Sequence, residues 1–252
     1  MMMLSVYRFF ELELLITGLY AVFTLIDKFV KEYNYQKEPD LHQLTHPSEN
    51  PELQVIAHLL IQFKDELSFE KANQFNRLKF ISDEDAPSAT IARMRFWSRQ
   101  NEFIILLSEN ILTAKLPKTD IRALLSIAIA HLVCEHYQRK HEALMFLKDM
   151  TTRWIATSLL INCLEMDMDR PNWHFHMVSI ALITFSIVLN KSLSVYFKKL
   201  EKEADKYAIE HFGVRQDELI RAVHQVGHQQ SSGFFSVHHS NQERQTYIKK
   251  MN

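Results

Sequence analysis

Glycine is nearly absent from this chain, and that scarcity limits its fold more than any motif does. Four glycines and six prolines serve 252 residues. Tight turns lean on those two residue types, so few of them beside long periodic apolar runs argue for helices. The fold class expected is therefore mainly α with a small β-sheet edge.

The remaining composition excludes more than it proposes. Hydrophobic residues make up 47% and charged residues 23%, an ordinary globular balance in a chain long enough to bury a sizeable core. A formal net charge of −1 gives no electrostatic reason for a nucleic-acid partner. A mean hydropathy of −0.17 speaks against a polytopic membrane protein. Cys134 and Cys163 are the only cysteines; they form neither a CxxC pair nor a disulfide framework.

Two regions raise the question of a bilayer. Residues 1–33 read as an N-terminal apolar helix. Its uninterrupted run, Leu14 to Ile26, falls short of the roughly 20 residues a span needs. Extending it over 4–30 admits Arg8, Glu11 and Glu13. No small-residue site follows, so a cleaved signal is not expected. The second region, 154–197, contains the runs 154–164 and 177–189, separated by a polar stretch with Pro171 at its turn. This is a helical hairpin, either membrane-embedded or buried in a soluble domain. Basic residues flank both regions, so charge does not fix an orientation.

Between these regions the domain organisation reads as a linker over 34–51 and one domain over 52–252, which includes a hydrophobic hairpin over 143–198. Apolar residues recur at helical spacing from Pro51 to about Leu78. Residues 90–97 and 102–109 read as a β-hairpin or a pair of short strands. Thr119 is a candidate N-cap for a helix whose apolar surface is Leu124, Leu125, Ala128, Leu132 and Cys134. A helix over 196–213 stops at Gly213, another runs over 217–227, and a short one begins at about Asn241.

The chemistry-bearing stretch is AIAHLVCEH, residues 128–136. Zinc proteases of the HExxH class place two histidines four apart on one helical face, with a glutamate beside the first as general base. Here His131 fills the first position, Leu132 stands where the base belongs, and Glu135 stands where the second histidine belongs. The inverted HxxEH order fails, because His131 is one residue too early, about 100° around a helix. On a continuous helix His131 and His136 are about 140° apart and ill placed to share an ion. His131 and Glu135, four apart, share a face. By itself such a pair is more often a plain i,i+4 contact than a metal site.

The succession of further pieces carries more. LLSIAIAH is followed by a hydrophobic hairpin, then EKEAD at 201–205, then FSVHHSNQER at 235–244. This order resembles the HtpX-like and CAAX-prenyl-protease-like membrane zinc metallopeptidases over roughly residues 50–250. The resemblance implies a zinc-metallopeptidase (gluzincin-like) fold. It implies Glu201 as third metal ligand beside His131 and Glu135, and Asp205, His238 and Arg244 in supporting positions behind the ligands. His239 replaces the proline usual in the late segment. EFIILLSENIL resembles the edge strand that precedes the active-site helix.

The departures fall on the catalytic positions. Leucine at 132 cannot take a proton, and losing a general base typically costs about 10²–10⁴-fold. Two anionic ligands would weaken the Lewis acidity of a bound zinc ion, and zinc, if retained, would be held weakly. Glu203 and Glu142 qualify as replacement bases by residue type alone. His174 and His176 read as interfacial, and Cys134 as a small apolar filler. The expected function is thus a membrane-associated, metallopeptidase-like protein without catalysis, binding a peptide or protein partner by strand addition along 102–109. The alternative is an active metal-dependent endopeptidase that uses His131, Glu135 and Glu201.

Overall fold

The computed structural model describes residues 2–37, 51–67, 77–81, 89–93, 103–108, 116–136, 139–166, 173–226 and 238–251. It is mainly helical. In chain order its elements are α1 (Met2–Lys37), α2 (Pro51–Glu66), β1 (Arg77–Ile81), β2 (Ala89–Arg93), β3 (Phe103–Ser108), α3 (Lys118–Val133), α4 (Arg139–Met166), α5 (Trp173–Phe212), α6 (Gln216–Val226) and α7 (Asn241–Ile248).

These elements divide into two compact units. α1 as far as Lys28, α4, and α5 as far as Phe197 form one unit, and the remaining elements form the other. α1 also runs on to Lys37, taking up the first residues of the expected linker; residues 38–50 and Pro171 lie outside the described residues.

In the first unit, specific contacts tie α1 to α4. Trp154 Nε1 donates to Thr17 Oγ1 at 3.2 Å, Tyr20 stacks on Phe146, and the Arg153 guanidinium lies 3.4 Å over the Tyr20 ring. α4 and α5 are clasped by one buried amide. Asn190 Nδ2 meets Lys148 O and Thr151 Oγ1, each at 3.1 Å, and Thr152 Oγ1 at 2.5 Å. The buried side of this part of α5 is mostly polar: His176, Ser179, Ser186, Asn190 and Ser194, beside Leu193. Met177, Ile180, Phe185, Val188 and Val195 are exposed, as are Leu14, Leu15, Leu19 and Phe23 of α1. The helix His176–Phe212 is long and apolar enough to cross a membrane, the one such helix among the described residues.

The second unit has the opposite polarity. Ile56, Leu59 and Phe63 of α2, Ile105 of β3, Leu125 and Ile129 of α3, Phe212 of α5, Leu219 of α6 and Ile248 of α7 form one apolar core. Phe63 meets Phe212 edge to face at 5.1 Å. α3 runs through its middle and packs on α2, β2 and α6. Leu124, Leu125, Ala128 and Leu132 are buried as their spacing predicts.

Several boundaries moved. α2 stops at Glu66, and Leu78 falls in β1, a strand that the helical spacing concealed. Pro117, not Thr119, occupies the N-cap of α3, with no side-chain cap bond. Thr119 is already inside the helix and donates to Asp120 instead. α5 ends where Gly213 adopts φ 61°, a left-handed conformation that glycine takes without steric cost. α7 starts at Asn241 behind a capping box, in which Ser240 and Glu243 bond each other's backbone N–H.

The sheet also departs from expectation. Its order is β1-β3-β2, with β1 parallel and β2 antiparallel to β3. β3, expected at the edge, is the central strand and is paired on both sides. Strand addition along 102–109 is therefore blocked, because its backbone donors and acceptors are already used.

The Asn190 clasp yields a stability prediction. Asn190→Leu removes a buried amide that meets three acceptors. The unfolding free energy should fall by about 1–2 kcal/mol, read as a lower midpoint when helical circular dichroism of the detergent-purified chain is followed during denaturation.

Candidate functional site

The site grows from the way α3 ends. A continuous helix would carry His131 and Glu135 on one face. Instead α3 stops at Val133, and Glu135 takes φ 59°, the one non-glycine residue with positive φ among the described residues. Two backbone bonds close the stop: His136 N–H to His131 O at 2.9 Å, and Glu135 N–H to Leu132 O at 3.0 Å. This is the Schellman pattern, with Glu135 in the position usually held by glycine.

The reversal rearranges the expected site. Glu135 is exposed, past the helix end. His136, discounted on straight-helix geometry, is turned back and buried. Its Nδ1 lies 2.9 Å from Nδ1 of His131, so one imidazole donates and the other accepts. The two rings meet edge to face at 5.0 Å. Desolvation, the neighbouring His136 and the positive charge of Arg244 hold His131 down at about 3, against the pull of Glu201. His131 is therefore a neutral imidazole at ordinary pH. Leu132 is only 3% exposed, packed in the core.

Glu201 and Asp205, one turn apart on α5, face the segment that precedes and includes α7. His239 donates to Glu201 Oε2 twice, from its backbone N–H at 2.8 Å and from Nδ1 at 2.7 Å. His238 Nδ1 and Arg244 Nη1 lie 3.4 and 3.5 Å from Oε1. Burial works against the Glu201 carboxylate, but bonds from His238 and His239 and the charge of Arg244 outweigh it, so its carboxyl is held well below the usual range. Arg244 also grips Asp205 with two N–H groups, Nε at 2.8 Å and Nη2 at 2.5 Å. The Tyr247 hydroxyl donates to the same carboxylate. Burial opposes the Arg244 charge; Asp205 and Glu201 outweigh it and keep the guanidinium protonated.

The supporting residues expected from the sequence, Asp205, His238 and Arg244, thus come together around Glu201. The expected ligand set His131, Glu135 and Glu201 does not. The α3 stop removes Glu135, and both Glu201 oxygens are engaged by protein donors. Among the described residues, a different trio brings one ligand atom each within 4.8 Å of the others: Cys134, His136 and Glu203. Cys134, read as an apolar filler, caps α3 and is half-buried. Glu203 Oε2 lies 3.8 Å from His136 Nε2. The sequence signal that points to this trio is the Cys-x-His pair at 134–136, which a continuous helix would splay.

The chain matches no protein-family model and no curated protein.

The strain at Glu135 is testable. Glu135→Gly relieves a left-handed conformation costing a side-chain-bearing residue about 1 kcal/mol. The variant should be more stable by about that amount in chemical denaturation; a loss of stability would show that the helix runs on through this position.

Proposed function

We propose that this is a membrane-associated, metallopeptidase-like protein without proteolytic chemistry, acting as a protein- or peptide-binding regulatory module. The observation that carries the reading is the state of its catalytic positions. The place of the general base is a leucine buried in the core, and the carboxylate matching the family's third ligand is fully engaged by His238, His239 and Arg244. A zinc-bound water at this point would have no acceptor for its proton. The meeting of Glu201 and Asp205 with the late segment supports a kinship of architecture with the HtpX-like and CAAX-prenyl-protease-like enzymes.

The inverted polarity of the first unit supports the membrane. Lipid tails are as apolar as leucine, so helices in a bilayer bury small and polar side chains against each other and turn large apolar ones outward. The apolar half of α5, ending at about Phe197, follows that rule. Partner binding by strand addition is better served by β2, an outer strand that packs on α3, than by β3.

The purified chain should leave casein intact, and adding a metal chelator should change nothing. After alkaline extraction of host membranes it should stay in the pellet and dissolve only with detergent. Chelator-sensitive cleavage by the parent protein overturns the non-proteolytic reading; release by alkali alone overturns the membrane reading.

A further inference from the structure

We propose that Cys134, His136 and Glu203 form a binding site for a borderline divalent cation, zinc above all. None of the three stands at a position that the family resemblance assigns to a ligand. Their donor atoms lie within 4.8 Å of one another, and the imidazole and carboxylate atoms are 3.8 Å apart. Tetrahedral zinc with bonds of about 2.0–2.3 Å sets its ligand atoms about 3.3–3.6 Å apart. The trio needs to contract by about 1.5 Å at most, and Glu203 is exposed enough to swing inward.

The donor chemistry selects the ion. A thiolate, an imidazole and a carboxylate give one soft, one borderline and one hard donor, a set that disfavours magnesium and calcium. Thiolate and carboxylate together neutralise a divalent charge. Binding sends the Cys134 thiol proton to solvent and forms a metal–sulfur bond, with no change of oxidation state.

His131 supplies the other half of the design. A ligating histidine usually has its second ring nitrogen held by a fixed partner, which sets its tautomer and aims the ring. His136 Nδ1 is held by His131 Nδ1 at 2.9 Å, which leaves Nε2 to face Glu203. When His136 Nδ1–H donates and His131 Nδ1 accepts, the lone pair of His136 lies at Nε2, on the side of Glu203. The site cross-links the reversal after α3 to the middle of α5. Its role is that of a clamp, with a fourth position open to water or to a donor from a partner.

The test uses the full chain purified in detergent and dialysed against zinc-buffered solution, with metal content measured per chain. About one zinc per chain should remain. Cobalt substitution should give a thiolate-to-cobalt charge-transfer band that Cys134→Ser abolishes. Cys134→Ser and Glu203→Gln should each weaken zinc binding at least tenfold, and His131→Phe by about 10–100-fold as a positioning residue. Glu135→Gly and Glu201→Gln should retain the metal. Circular dichroism checks that each variant is folded, and Glu203→Gln changes an exposed residue outside the core. No stoichiometric zinc, or zinc indifferent to both Cys134→Ser and Glu203→Gln, overturns the site; so does loss of zinc from Glu135→Gly with Cys134→Ser unaffected. Metal content and proteolysis are read separately: a metal-free chain leaves the non-proteolytic reading standing, and casein cleavage leaves the zinc result standing.

Discussion

The left-handed turn at Glu135 is the constraint on which the site depends. Had α3 continued one more turn, His131 and Glu135 would share a face, and Cys134 and His136 would diverge. The stop converts that arrangement into its opposite. A left-handed glutamate costs about 1 kcal/mol, while the two backbone bonds that close the turn each contribute about 1 kcal/mol net. The near balance means that sequence preference alone does not decide the geometry. Burial of His136, and its bond to His131, tip it.

A second constraint acts on α5. Glu201 and Asp205 are both buried, and a buried carboxylate is tolerable only when paired and hydrogen-bonded. Arg244 serves both, with two histidines and a tyrosine completing the set. Removing one partner from such a cluster typically costs about 3–5 kcal/mol, because the remaining charges stay buried. This explains why the segment after 237 is anchored to α5 at all: α7 is short and, by its capping box alone, would be marginal. It also explains why Glu201 is a poor candidate for metal binding. Its lone pairs already hold the chain together.

These two constraints mark the limit of what was legible. Glycine scarcity gave the helices, Gly213 the end of α5, and the acidic pair with the late segment gave the Glu201–Asp205–Arg244 neighbourhood. Each of those signals is local or chemically specific. The α3 stop was hidden because its signature residue, glycine, is absent at 135. A straight helix across that position puts Glu135 on the face of His131 and His136 away from it, whereas the left-handed residue turns His136 back onto His131. β1 is masked by apolar spacing that fits either period over five residues. The capping box at 240–243 is legible as S-x-x-E.

α5 changes the character of its faces along its length. Up to Phe197 its buried positions include Ser179, Ser186, Asn190 and Ser194, with Leu193 among them, and its exposed ones include Met177, Ile180, Phe185, Val188 and Val195. From Lys198 onward its buried apolar positions are Ala204, Ala208 and Phe212, and its exposed ones include Lys199, Lys202, Glu203 and Lys206. In water the first pattern would leave a row of large apolar side chains hydrated, at about 25 cal/mol per Å² of lost burial, while spending its packed face on hydroxyls. In a bilayer the same pattern would cost nothing on the outside, and the hydroxyls and the Asn190 amide would add to the attraction between helices. On the proposal that this chain is membrane-associated, the change of amphipathicity partway along α5 marks where its surroundings would change.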